Sequence, residues 1–272
     1  MNPVSRWFGS KLIIILGLLV MLFLYIPNVV VAVLSVNEAS GRNNNRTNYT
    51  WTGFTTDHWT SVCSPGGLCD SLVESLWIGA VVTVIATIIG TLAAYGLVRY
   101  RFTGRSTSNL VLFIPMATPD IVLGSSLLAM FVAFGAQLGY GTIIAAHVMF
   151  CLSFVVVTVK ARLAGMDDAL EQAAMDLYAT ESQAFWKVTF PLIFPGILAA
   201  ALLSFSLSFD DFIVTNLNAG NEVTFPMYVW GAALRGLPPQ VNVVGTAMFL
   251  LAVVIVVTAE LLSGRRRARA EA

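Results

Sequence analysis

The sequence predicts an all-α integral membrane protein of six transmembrane helices. Three observations carry the prediction. Of 272 residues, 57% are hydrophobic and 11% are charged, whereas a soluble domain carries about a quarter charged residues. Uncharged apolar runs recur along the chain, most of them matching the roughly 20 residues that cross a bilayer core. The basic residues between those runs fall almost entirely on one side.

In order, the predicted spans lie near 12–36, 74–98, 107–134, 138–160, 190–217 and 241–262, within one transmembrane domain covering 1–272. The first is flanked by Arg6 and Lys11 but exceeds the apolar segment of a secretion signal, and no small-residue cleavage site follows, so it reads as an uncleaved span with a kink at Pro27. The external loop, 37–72, is rich in Asn, Thr, Ser and Gly and is expected to be irregular. Its sequons at Asn45 and Asn48 are read as coincidental. Cys63 and Cys69 in this loop could close a small disulfide in an oxidising compartment, and Cys151 reads as a buried apolar residue.

The third span reaches full length only if Asp120 is tolerated inside it. The uncharged link near Gly135 to Gly139 predicts a tight pair with the fourth span. Aromatic residues between Asn218 and Gln240, including Trp230, read first as an interfacial belt and second as a surface for an external partner. Twelve basic residues (Arg6, Lys11, Arg99, Arg101, Arg105, Lys160, Arg162, Lys187, Arg265, Arg266, Arg267 and Arg269) share one side, against Arg42, Arg46 and Arg235 on the other. That asymmetry places both termini in the cytoplasm. The basic tail could also touch anionic membrane lipid.

One cytoplasmic segment, 164–188, breaks the apolar pattern and carries five acids. Asp167 and Asp168 can cap a helix from about Ala169 to Leu177, and Thr180 with Gln183 forms a capping box for a second helix through Trp186. The expected shape is a two-helix elbow on the cytoplasmic surface. Leu170, Ala173, Ala174 and Leu177 share one face by their spacing, making a shallow apolar ridge that either docks in a groove of another protein or packs on the chain's own helix ends.

The ordered run Glu171-Gln-Ala-Ala-Met-Asp-Leu-Tyr-Ala-Thr, followed by Phe185-Trp-Lys-Val-Thr-Phe-Pro-Leu-Ile-Phe-Pro-Gly, resembles the "EAA" coupling loop of type I, binding-protein-dependent ABC importer permeases. The resemblance implies the MetI-like permease fold, with Glu171, Gln172, Ala173, Ala174, Asp176, Leu177, Tyr178 and Ala179 forming a coupling helix in a cleft of a cytoplasmic ATPase. Gln172 stands at the motif's usual Glu, and Tyr178 at the Gly that sharpens the bend. Phe205-Ser-Leu-Ser-Phe-Asp-Asp-Phe-Ile-Val-Thr and Pro226-Met-Tyr-Val-Trp are most similar to the C-type subunit of spermidine and putrescine importers. The implied partners are a dimeric ATPase holding ATP and Mg, a second permease in a heterodimeric pair and an extracytoplasmic solute-binding protein, in a bacterial plasma membrane. This chain would bind no cofactor, metal or nucleic acid and would have no enzymatic activity. It has no phosphate-binding G-x-x-x-x-G-K-[ST].

Acids inside spans point to the solute. Asp210 and Asp211 would lie about 30 Å along the fifth span, and Asp120 about 20 Å along the third. Carboxylates in membrane facing a cation or water are candidate solute contacts, with Phe209, Phe212 and Trp230 available for cation–π interactions. Solvated helix-end acids, and a helix cap at Asp120, are the simpler readings. Three further functions fit parts of the chain: a permease for another small organic or cationic solute, an ion-driven secondary transporter, and an intramembrane serine protease using Ser125, Ser126 and His147.

Overall fold

The computed structural model describes residues 3–39, 46–167 and 169–270, with side chains over 11–39, 46–167, 169–258 and at Leu261. Arg42, Asn45 and Asp168, and the side chains of Arg6 and Arg265 to Arg269, lie outside the described residues. The helices are α1 (Pro3–Ser35), α2 (Asp57–Thr60), α3 (Leu68–Arg99), α4 (Arg105–Ala117), α5 (Asp120–Ala133), α6 (Tyr140–Ala164), α7 (Ala169–Asp176), α8 (Glu181–Ala184), α9 (Phe190–Asp210), α10 (Ile213–Asn218), α11 (Phe225–Arg235) and α12 (Pro239–Ala270). A π-helical turn, Phe185–Thr189, joins α8 to α9.

Among the described residues, five stretches are long and apolar enough to cross a membrane, and a sixth is counted if the bent pair of α4 and α5 is one span. That pair corrects the expectation of a continuous third span over 107–134: its two helices meet at 107°. The cause is local. Pro119 has no N–H to continue the α4 ladder, and it forces Thr118 into extended backbone, at φ −82° and ψ 130°. Thr118 Oγ1 closes the helix by donating to Ile114 O at 2.7 Å. Each half is only about 20 Å long, too short to span alone. Asp120 is thus not inside a continuous helix but is the first residue of α5, just past the end of α4.

The fifth span also differs from its expected range of 190–217. Its helix ends at Asp210, where Asp211 turns to extended backbone (ψ 128°), and its N-terminal lead begins earlier, so that Glu181–Asp210 forms one apolar stretch. The second helix of the elbow is accordingly the lead of this span rather than a separate surface helix. The second span starts at Leu68 rather than 74. The first runs through Pro27 as one helix, and Phe225–Arg235 forms a helix inside the expected external connection.

Two compact units form, one from 1–69 with 229–272 and one from 70–228. In the first, α1 packs along α12, with the Tyr25 and Phe249 rings edge to face at 6.1 Å. The residues of α1 from Leu12 to Ile26 are otherwise exposed apolar surface, as a lipid-facing helix requires. The loop between α1 and α3 has little regular structure and is ordered by side chains. Buried Asn37 donates Nδ2 to Asn48 O and Thr50 O and accepts from Thr52 N. Cys63 and Cys69 are joined as a disulfide, Cα atoms 5.3 Å apart.

In the second unit α6 is central, packing on α9, α4, α10 and α5. Its buried face (Ile143, Cys151, Val155, Val159) meets Ile78, Val82 and Ala86 of α3 and Ile193 and Ala200 of α9. The approach to α3 is close enough to need glycine: a methyl built at Gly90 would lie 2.5 Å from Val155 Cγ1. Cys151 is fully buried, as its sequence context predicts.

Candidate coupling helix and acidic cavity

The elbow at 164–188 forms by the local signals that predict it. Asp167 Oδ1 accepts from Ala169 N at 2.9 Å, capping α7, which ends one residue short of the expected Leu177. Beyond α7, Thr180 Oγ1 accepts from Gln183 N while Gln183 Oε1 accepts from Thr180 N, the reciprocal capping box. Between them Tyr178 has φ 65°, the one positive φ outside glycine among the described residues. The left-handed turn is thus kept although the glycine is not, at a strain of about 1 kcal/mol.

The elbow divides its residues between two faces. Leu170, Gln172, Ala173, Met175, Asp176, Leu177 and Tyr178 are exposed, Leu177 by 82% and Tyr178 by 97%. The ridge of Leu170, Ala173 and Leu177 is therefore open, with Ala174 and Ala179 half-buried beside it. Glu171 points the other way. Its Oε2 lies 2.6 Å from Arg99 Nη2 of α3, and its Oε1 accepts from Thr189 Oγ1 at 2.8 Å.

Away from the elbow, the breaks in the third and fifth spans open onto one cavity of about 500 Å³. Asp120, Asp210 and Asp211 all line it, with Pro115, Met116 and Thr118 from the first break, Phe212 and Ile213 from the second, and Phe150 and Phe154 from α6. Two residues expected to join them do not: Phe209 stacks on Phe205 at 5.9 Å and faces Phe225, and Trp230, exposed in the other unit, is not among the lining residues.

The three acids are not equivalent. Asp210 and Asp120 are exposed, whereas Asp211 is held by the protein. Its Oδ2 accepts from Thr215 N and from Thr215 Oγ1, both at 2.7 Å, which caps the short α10. The same oxygen lies 3.3 Å from His147 Nε2, with the two side chains 10% and 1% exposed. His147 also meets Thr215 Oγ1 at 2.9 Å through Nε2 and Ser208 Oγ at 2.8 Å through Nδ1. Every polar atom of that imidazole is therefore engaged by α9, α10 or the link between them. Ser125 and Ser126 hydrogen-bond Val122 O one turn back and make no contact with it. The pairing a protease would need between these serines and His147 is absent among the described side chains.

A second latch ties α10 to α5 and α6. Buried Asn218 donates Nδ2 to Gly124 O of α5 and Val214 O of α10, and its backbone carbonyl accepts from Thr142 Oγ1 of α6 at 2.7 Å. Sequence reasoning missed Asn218, Thr215 and the aromatic pair Phe150 and Phe154. Only the last pair leaves a readable signal, an i, i+4 spacing on one helix face.

Known proteins resemble the chain at two levels. It is 36% identical over 242 residues to the spermidine/putrescine transport system permease protein PotC of Escherichia coli (strain K12), covering 89% of each. It is 34% identical over 252 residues to the putrescine transport system permease protein PotI of the same strain, covering 90% of this chain and 86% of that one. The fold is shared with a chain of a bacterial alginate ABC transporter solved in complex with a pentasaccharide-bound periplasmic protein: TM-score 0.68, 15% identity, 96% of this chain and 95% of that one. An amino acid ABC transporter chain matches with TM-score 0.57 and 16% identity, over 78% of this chain and all of that one. Residues 86–267 match the model of one family across the elbow and the acidic cavity alike. The chain belongs to the family of binding-protein-dependent transport system inner membrane components.

Proposed function

We propose that this permease carries polyamines, spermidine or putrescine, through the cavity between its two broken spans. One observation carries the reading: Asp120 and Asp210, from different spans, line a single cavity with Phe150, Phe154 and Phe212, in a chain 36% identical to a spermidine/putrescine permease. A polyammonium chain needs separated anions with apolar or aromatic surface between them. Two exposed carboxylates supply the anions, and each well-placed ring adds roughly 0.5–2 kcal/mol. Asp211 keeps its bonds to Thr215 and His147, so its role is to hold the bend that brings Asp210 to the cavity.

The driving reaction belongs to partners. A cytoplasmic ATPase dimer, with ATP and Mg in its own sites, receives the ridge of Leu170, Ala173 and Leu177 together with Gln172, Asp176 and Tyr178. Its closure rocks this permease and a second, non-identical permease from inward-facing to outward-facing. An extracytoplasmic binding protein delivers the solute to the face opposite the cytoplasmic termini.

The test is uptake of labelled spermidine by cells carrying the whole system, in competition with putrescine, amino acids and sugars. D120N and D210N are expected to raise the half-saturating spermidine concentration about tenfold each, the effect of about 1.4 kcal/mol. Unchanged uptake in both variants, or competition by neutral sugars as strong as by putrescine, refutes the assignment.

A further inference from the structure

The coupling elbow is tied to the spans by one carboxylate. Glu171 is 14% exposed while its neighbours Leu170 and Gln172 are exposed, so adjacent motif residues face opposite ways. Its two oxygens reach different elements: Oε2 pairs with Arg99 at the end of α3, and Oε1 takes the Thr189 hydroxyl from the π-helical lead of α9, with Tyr95 OH at 3.4 Å. Thr189 is completely buried. The Tyr95 ring meets Phe185 edge to face at 5.1 Å, so α3 and the π turn also touch beside the carboxylate.

Such a pair is stiff. Separating it would break an ion pair whose two side chains are each 14% exposed, a costly step in so buried a place, so a displacement of α7 either carries Arg99 and Thr189 with it or opens the clasp. The second anchor sits in a π turn, an irregularity that shifts helix register and recurs at functional sites. We propose that Glu171 is the positioning residue that transmits displacement of α7 to the second and fifth spans at once, through Arg99 and Thr189, while Gln172 is left to face the partner. This rests on the functional reading above, because the displacement comes from the ATPase.

The test uses the complete complex in proteoliposomes, with ATP hydrolysis and labelled spermidine uptake measured on one preparation. E171Q should lower spermidine moved per ATP hydrolysed by about five- to tenfold, the size of a modest coupling free energy. The charge exchange R99E with E171R should recover part of that ratio. A Glu171 that merely stabilises the fold would reduce complex yield and both rates in step; an unchanged ratio, or an exchange no better than E171Q, overturns the proposal. Amide exchange on the same complex reads the clasp without solute. E171Q should speed exchange over 169–176 and 185–189 together. Faster exchange confined to 169–176 overturns the proposal, even for a complex whose lack of spermidine uptake had already refuted the functional reading.

Discussion

Replacing His147 by leucine tests the polar brace beneath the acidic cavity. The imidazole is 1% exposed and contacts Ser208, Thr215 and Asp211 at 2.8, 2.9 and 3.3 Å. Leucine fills similar space but strands the Ser208 hydroxyl in a buried site, a loss of about 1–3 kcal/mol. Asp211 loses one neighbour but keeps Thr215 N and Oγ1, so it adds about 1 kcal/mol rather than the cost of an orphaned charge. The expected total is about 3 kcal/mol, or a fall of about 6–12 °C in Tm by the scaling for soluble domains of comparable size. Thermal unfolding of the detergent-solubilised chain measures it, with S126A as control because Ser126 bonds only its own helix and should shift Tm little. H147L combined with D211N should cost at least about 1 kcal/mol less than the two single losses added, as contacting residues do. A loss under about 1 kcal/mol for H147L, or strict additivity with D211N, would refute the brace.

Other regions give separate predictions. Y178G should relieve the left-handed strain and stabilise the elbow by about 1 kcal/mol, seen as slower amide exchange over 169–184; faster exchange would mean that the exposed ring has an unrecognised contact. G90L should destabilise the unit by about 1–3 kcal/mol or prevent its folding, because Val155 occupies the space, and unimpaired thermal stability would contradict that packing. Alkylation of the unfolded, unreduced chain should label Cys151 alone; labelling of all three cysteines contradicts the disulfide. C63S with C69S should cost about 2 kcal/mol by loop closure.

Much of the elbow is legible in the sequence because its determinants are local. Asp167 to Ala169 and Thr180 to Gln183 are bonds between near neighbours, and Tyr178 marks its own turn by replacing a glycine. Span number is legible for the same reason, since bilayer thickness acts on contiguous runs. Continuity is less so: Pro115 and Pro119 were visible, but a proline can kink a membrane helix or end it, and the outcome depends on what receives the freed groups. The cavity's acids were found because charge is rare in lipid. Their different roles were not, because His147 joins Ser208 and Thr215 across 61 and 68 residues of sequence. The motif groups Glu171 with the residues expected at an ATPase cleft, and nothing near it in sequence announces its partners Arg99 and Thr189.

The central claim, that polyamine passes between the two broken spans, is met most directly by photochemical mapping. A photoreactive spermidine analogue would be supplied to the assembled importer during ATP-driven uptake, and the modified peptides of this chain identified. The account predicts labelling around Phe150 to Phe154 and Asp210 to Ile213, competed by unlabelled spermidine and reduced in D210N. Labelling confined to other segments, or unaffected by competition, would contradict it.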